Sequence, residues 1–194
     1  MLSSYSVFLP SYSVGTDCYR EIPYVTRKYG TKAVVIGGKT AMQKAKPELE
    51  TAIRGSKVEI VDYIWYGGDS NYENIEKLKA NETVQNADML FGVGGGRACD
   101  TVKTLADMLD KPFFTFPTLA SNCAACTAIT VIYNADGSFK EYYYMHGPAY
   151  HTFANTKIIA DSPEKLLWAG IGDALSKECE VLFASRDKFI YHTP

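Results

Sequence analysis

Asp88-Met89-Leu90-Phe91-Gly92-Val93-Gly94-Gly95-Gly96-Arg97-Ala98-Cys99-Asp100-Thr101-Val102-Lys103 is the stretch whose reading decides the fold. Its apolar front half reads as a buried strand ending in three consecutive glycines. Behind them Ala98, Val102, Leu105, Ala106 and Leu109 recur at the spacing of one helix face. The unit is therefore strand, glycine turn, helix. Glycine has no Cβ, so the backbone can take dihedrals closed to other residues and a ligand can approach it closely. The free N–H groups of the helix's first turn then face an anion, usually a phosphate. The spacing is not the common dinucleotide fingerprint, because Gly92-x-Gly94-x-x calls for a small residue at position 97 and Arg97 stands there. A tight strand-to-helix turn with no ligand fits the same glycines.

Outward from this unit the chain alternates. Tyr5–Leu9 reads as a short edge strand stopped by Pro10, and Cys18–Tyr29 as a helix ended by Gly30. Lys32–Ile36 is an apolar run bounded by glycines, hence a buried parallel strand. Gly37-Gly38 leads into a helix near Thr40–Arg54, with a break expected at Pro47. Val58–Asp62 is the next strand, and Asn71–Gln85 a single helix with Ile75, Leu78 and Val84 inward. Pro112–Pro117 is another buried strand after the glycine unit. This order predicts a doubly wound, mostly parallel sheet with right-handed connections and ligands beyond the strand C-termini. Then Ala128–Tyr133 and Phe139–Tyr144 flank Asn134-Ala135-Asp136-Gly137-Ser138, a hairpin pattern. Lys157–Ala160 reads as a last strand. Ser162-Pro163-Glu164 opens a helix, and Leu175, Cys179, Leu182 and Phe183 fall on one face of a further helix after Gly170-Ile171-Gly172. That apolar face needs a partner, so the sequence reads as the front portion of a longer protein.

Composition narrows the function class. The 194 residues are 46% hydrophobic and 22% charged with a net charge of −2, ordinary for a globular protein. No basic excess points to nucleic acid, and no run approaches a membrane span or a secretory signal. Five cysteines, an odd number, favour reduced thiols and a cytoplasmic location over a disulfide framework.

Gly94-Gly95-Gly96-Arg97-Ala98-Cys99-Asp100-Thr101-Val102-Lys103 resembles the GGGxxxDxxK motif of the iron-containing (group III) alcohol dehydrogenases, and within them the glycerol dehydrogenases. Three more matches follow in order: Pro117-Thr118-Leu119-Ala120-Ser121, Thr127–Tyr133 and Gly170-Ile171-Gly172-Asp173-Ala174-Leu175. The resemblance covers essentially the whole chain. It implies an α/β, Rossmann-like cofactor domain over residues 1–161 and the start of an all-helical domain over 162–194, a dehydroquinate synthase-like fold. It also implies a homo-oligomeric enzyme passing a hydride between NAD or NADP and a small polyol or 2-hydroxy acid.

By the same resemblance Gly94, Gly95, Gly96, Arg97 and Ala98 meet the pyrophosphate, with Asp100 and Lys103 completing the motif. Thr118, Leu119 and Ser121 line the adenine and ribose side, and Thr127, Ile129 and Tyr133 face the nicotinamide. Asp173 matches the family's metal-ligand aspartate for zinc or iron, with the remaining ligands, two histidines, expected beyond residue 194. Residue chemistry alone reads these positions more plainly. Asp100 can cap its helix, Lys103 can be solvated, and Asp173 suits a first helical turn with Lys177 four residues on. His146, His151 and His192 read as surface or loop residues, and Cys123-Ala124-Ala125-Cys126, without a second pair, is weak as a zinc motif.

Two departures bear on specificity. Ser121-Asn122-Cys123 stands where glycerol dehydrogenases carry Ser-Thr-Asp, so Cys123 replaces a substrate-side carboxylate, which suits the 2-oxo acids of related hydroxycarboxylate dehydrogenases better than glycerol. At Gly37-Gly38-Lys39 the family's ribose-binding acid is missing and Lys39 is adjacent, which favours NADP(H) at least as much as NAD(H). The expected behaviour of these 194 residues is cofactor binding without turnover. Two other readings remain open: a nucleotide-binding module with no chemistry, and an enzyme like dehydroquinate synthase or glycerol-1-phosphate dehydrogenase.

Overall fold

The computed structural model describes residues 10–185. Six strands form one sheet: β1 (Ser11–Gly15), β2 (Lys32–Gly37), β3 (Glu59–Trp65), β4 (Met89–Gly94), β5 (Phe113–Pro117) and β8 (His151–Asn155). Their order is β1-β8-β5-β4-β2-β3, and every neighbouring pair is parallel. The separate strands β6 (Ile129–Tyr133) and β7 (Phe139–Tyr144) pair antiparallel as the expected hairpin. Helices α1 (Ile22–Thr26), α2 (Lys39–Ile53), α3 (Tyr72–Lys79), α4 (Glu82–Asn86), α5 (Gly96–Met108), α6 (Thr156–Ala160) and α7 (Glu164–Ser185) complete the described chain.

Both faces of the sheet are covered, which is why its central strands read as unbroken apolar runs. Val35, Phe91, Phe114 and Phe153 pack with Met42, Ala45 and Leu49 of α2 on one face. Val34, Ile36 and Leu90 pack with Ile75, Leu78, Val102 and Leu105 of α3 and α5 on the other. Because α2 leaves β2 to one face and α5 leaves β4 to the opposite face, a crevice opens between the C-terminal ends of these adjacent strands. The strand ends are close there: a Cβ on Gly37 would lie 2.1 Å from the Val93 carbonyl oxygen.

Several local expectations change. Tyr5–Leu9 lies outside the described residues, and the edge strand is Ser11–Gly15. Cys18–Tyr29 divides into a 3-10 turn (Cys18–Glu21) and the short α1. Pro47 does not break α2, because it sits on the exposed face while Met42, Ala45 and Leu49 anchor the helix. The helix expected over Asn71–Gln85 is two, since Asn81 caps a new start by accepting from Thr83 and Val84 N–H. Lys157–Ala160 is helical rather than a strand: the Asn155 side chain accepts from Lys157 and Ile158 N–H, and the last strand ends before it. Gly170 and Gly172 do not interrupt α7, which runs through them as one helix. No residue of α7 is buried, and Leu167, Trp168, Leu175, Val181, Leu182 and Phe183 are exposed along it. No helix among the described residues is long and apolar enough to cross a membrane.

Candidate functional site

The glycine turn builds the crevice. Gly94 has φ +148, a backbone setting that side chains rarely adopt, and a Cβ there would also press to 2.9 Å on the Ala98 Cβ. Gly95 is the extended N-cap of α5 and offers no side chain to bond the first turn. Gly38 does the same for α2. By contrast Asn71, Asn81 and Asn155 each cap their helix with a side-chain oxygen. Thus the two helix starts that face the crevice keep their positive ends open.

A cleft of about 740 Å³ occupies this place. Gly94, Gly95, Gly96, Arg97 and Ala98 line its base, and Thr118, Leu119 and Ser121 one wall. Lys39, Lys44, Trp65 and Tyr66 form the opposite wall, while Lys157 and Leu166 reach in from α6 and α7. Trp65 and Tyr66 were not singled out from sequence; their signal was position, the C-terminal end of a parallel strand. Lys39 Nζ lies 4.7 Å from the Trp65 ring centroid.

A smaller hollow of about 400 Å³ lies beside the cleft, and Gly96 and Arg97 line both. Asp100, Cys123, Thr127, Ile129, Tyr133 and Asp173 line it too. The Arg97 guanidinium lies 4.7 Å from the centre of the Tyr133 ring, with Nε 3.4 Å from Asp69 Oδ1. Asp173 arrives through Gly170, three residues before it. A Cβ on Gly170 would stand 1.7 Å from the Ala120 carbonyl oxygen, so only glycine lets α7 press onto the 118–121 loop. One turn later Asp173 faces the hollow, 3.3 Å from Lys177 Nζ.

Lys103 lines neither hollow. It is fully buried behind the smaller one, donating to the carbonyl oxygens of Ala124 (2.6 Å) and Ile129 (2.8 Å) and to Thr127 Oγ1 (3.1 Å). Its Nζ is 3.5 Å from Asp100 Oδ1, and Asp100 Oδ2 accepts from Val131 N–H. Burial raises the Asp100 pKa and lowers that of Lys103. The solvated alternative for Lys103 is overturned, and Asp100 ties α5 to β6 rather than capping its own helix. His151 is likewise not a surface residue: it is buried on β8, its Nε2 2.8 Å from Ser13 Oγ on β1. His146 is exposed beside Asp107, and His192 lies outside the described residues.

A family model, iron-containing alcohol dehydrogenase, matches residues 10–154. The chain belongs to this family. It is 30% identical to the glycerol dehydrogenase of Escherichia coli over 175 residues, covering 90% of this chain and 47% of that protein. The E. coli hydroxycarboxylate dehydrogenase A is 34% identical over 161 residues, 82% of this chain and 43% of the relative. The crystal structure of glycerol dehydrogenase from Schizosaccharomyces pombe superposes with a TM-score of 0.82 at 26% identity, covering 95% of this chain and 47% of that one. The chain thus spans about half the length of the relatives it matches. The iron-containing alcohol dehydrogenases are an oxidoreductase family, and the Rossmann-like parallel sheet is the part of them seen here. Among the described residues no group of three or more His, Cys, Asp or Glu side chains could hold a metal ion. Asp173, the metal-ligand position that the resemblance implies, lines the smaller hollow with Lys177 as its ion-pair partner.

Proposed function

We propose that residues 1–161 are the cofactor domain of an NAD(P)-dependent dehydrogenase of small hydroxy compounds, and that residue 162 onward begins its helical domain. The observation that carries this reading is the three-glycine turn between two helix starts without side-chain caps. The N–H groups at the start of α5 would hold the pyrophosphate, with Gly94 and Gly96 giving it room. Thr118, Leu119 and Ser121 would line the adenosine side. Thr127, Ile129 and Tyr133 would wall the nicotinamide, with Ile129 excluding water from one ring face. The bound dinucleotide supplies the hydride chemistry. Arg97, on the rim common to both hollows, would keep the cofactor and substrate in register.

Asp173 would hold one position in the metal's ligand set. A homo-oligomer in the cytoplasm completes the reading. For substrate, a 2-hydroxy acid or its 2-oxo partner fits better than glycerol, because Cys123 stands at the position of the glycerol dehydrogenases' substrate-side carboxylate, in a hollow that Arg97 also lines. The test is direct titration of the chain with NADH and NADPH, followed by nicotinamide fluorescence. Saturable binding with Kd below about 1 mM is expected. No binding of either cofactor would overturn the reading, and metal-dependent turnover by this chain alone would overturn its single-donor metal site.

A further inference from the structure

Cys123 and Cys126 stand at the two ends of one 3-10 turn, Ala124–Cys126 with Cys123 as its N-cap. The turn is closed by a hydrogen bond from Cys126 N–H to the Cys123 carbonyl, 2.9 Å. A hydrogen-bonded turn of this kind holds its end Cα atoms within about 7 Å, and a disulfide spans roughly 4.4–6.8 Å between Cα atoms. In 3-10 geometry the side chains at i and i+3 leave the same side of the turn; Cys123 lines the smaller hollow, and Cys126 Sγ donates to Thr152 Oγ1 at 3.9 Å. Both residues are free thiols and both are exposed.

The backbone between them is already fixed from below. The Ala124 carbonyl accepts from Lys103 Nζ, and the Ala125 carbonyl accepts from Thr115 Oγ1 (2.9 Å) and Thr152 Oγ1 (3.2 Å). On a turn held this firmly, closure asks for rotation of the Cys126 thiol away from Thr152 Oγ1 and little ordering of the backbone. We propose that Cys123 and Cys126 are an oxidisable dithiol, a modification site that closes to an intramolecular disulfide at the edge of the smaller hollow, which Cys123 lines.

With hydrogen peroxide as oxidant, the Cys123 sulfur attacks one peroxide oxygen. The O–O bond breaks, water leaves, and a sulfenic acid remains. The Cys126 sulfur then attacks the Cys123 sulfur, forming S–S and releasing the second water. Two thiols and one peroxide give one disulfide and two waters. A thiol reductant reverses the change by exchange. Cys99 and Cys18 do not compete, since burial pushes their pKa values up to about 12 and about 11 and keeps both as inert thiols. Cys179, exposed on α7, is the internal control.

The experiment treats the chain with stoichiometric peroxide and maps its peptides by mass, before and after dithiothreitol. The expected result is loss of two thiols, with the peptide carrying residues 123–126 lighter by two hydrogens and restored by dithiothreitol. Peptides carrying Cys18, Cys99 and Cys179 stay unchanged. In Cys126→Ser, Cys123 is trapped as a sulfenic acid that a dimedone probe labels. Retention of both thiols, over-oxidation of Cys123 in the unsubstituted chain, or a bridge involving Cys179 or a second chain would overturn the proposal. The unsubstituted chain decides the question without any variant, and without cofactor or substrate, so failure here is separate from failure of the dehydrogenase reading.

Discussion

Lys103 Nζ donates to the carbonyl oxygen of Ala124 at 2.6 Å, twenty-one residues along the chain and across the back of the smaller hollow. With its bonds to Ile129 and Thr127, this buried ammonium fastens the 124–129 segment to α5. The motif's Lys therefore braces the hollow's wall from behind, while its Asp100 is part of that wall.

Lys103→Met is expected to destabilise the chain by about 3–5 kcal/mol, because it leaves Asp100 buried without its cation. Asp100→Asn in the same chain should restore part of that loss, since no charge then stays unpaired. Urea unfolding of both variants checks it; equal stability of Lys103→Met and the parent chain would refute the clamp.

Arg97 is half-exposed between Asp69 and Tyr133, so its removal should leave the fold intact. Arg97→Ala is expected to weaken NAD(P)H binding about 10- to 100-fold, the range for losing a charge-assisted contact of about 1.5–3 kcal/mol. Fluorescence titration measures this, with the circular dichroism melting curve as the control for folding.

Lys39 extends over Trp65 in the larger cleft, where no carboxylate of the Gly37-Gly38-Lys39 turn opposes a 2′-phosphate. NADPH is expected to bind at least as tightly as NADH. Lys39→Glu should shift the ratio toward NADH by at least about tenfold, or ~1.4 kcal/mol. A tenfold preference of the unsubstituted chain for NADH would refute the assignment.

His151 joins β8 to β1 through Ser13, and burial holds its pKa below the ordinary 6.5 while Glu21 pulls weakly the other way. The unfolded chain therefore takes up a proton near pH 6.5 that the folded chain still refuses. Between those two pKa values stability must fall as pH falls, by at most about 1.4 kcal/mol per pH unit. His151→Gln should flatten the slope of stability against pH just below 6.5, measured by denaturant midpoints across that interval.

The strand–glycine–helix unit, the buried parallel strands and the hairpin were legible in the sequence because each rests on a local period or a turn residue. Lys157–Ala160 reads as a strand in the sequence, although it is helical, because four residues carry too little periodicity to separate the two. What settles it is the Asn155 side-chain oxygen, which accepts from the Lys157 and Ile158 N–H groups. The same limit hid the start of α4 at Asn81, where one side-chain oxygen divides a helix that its apolar spacing presents as continuous.

Sequence by itself determined the three-glycine turn, its family and the order of the motifs that follow. Tertiary structure decided what those motifs do to one another. It buried Lys103 against carbonyls 21 and 26 residues away and let Gly170 admit α7 onto Ala120 so that Asp173 reaches the hollow. It also left the starts of α2 and α5 open on one crevice. Local spacing fixes the backbone of each element. Which polar groups find partners depends on elements distant in the chain, and only packing brings those together.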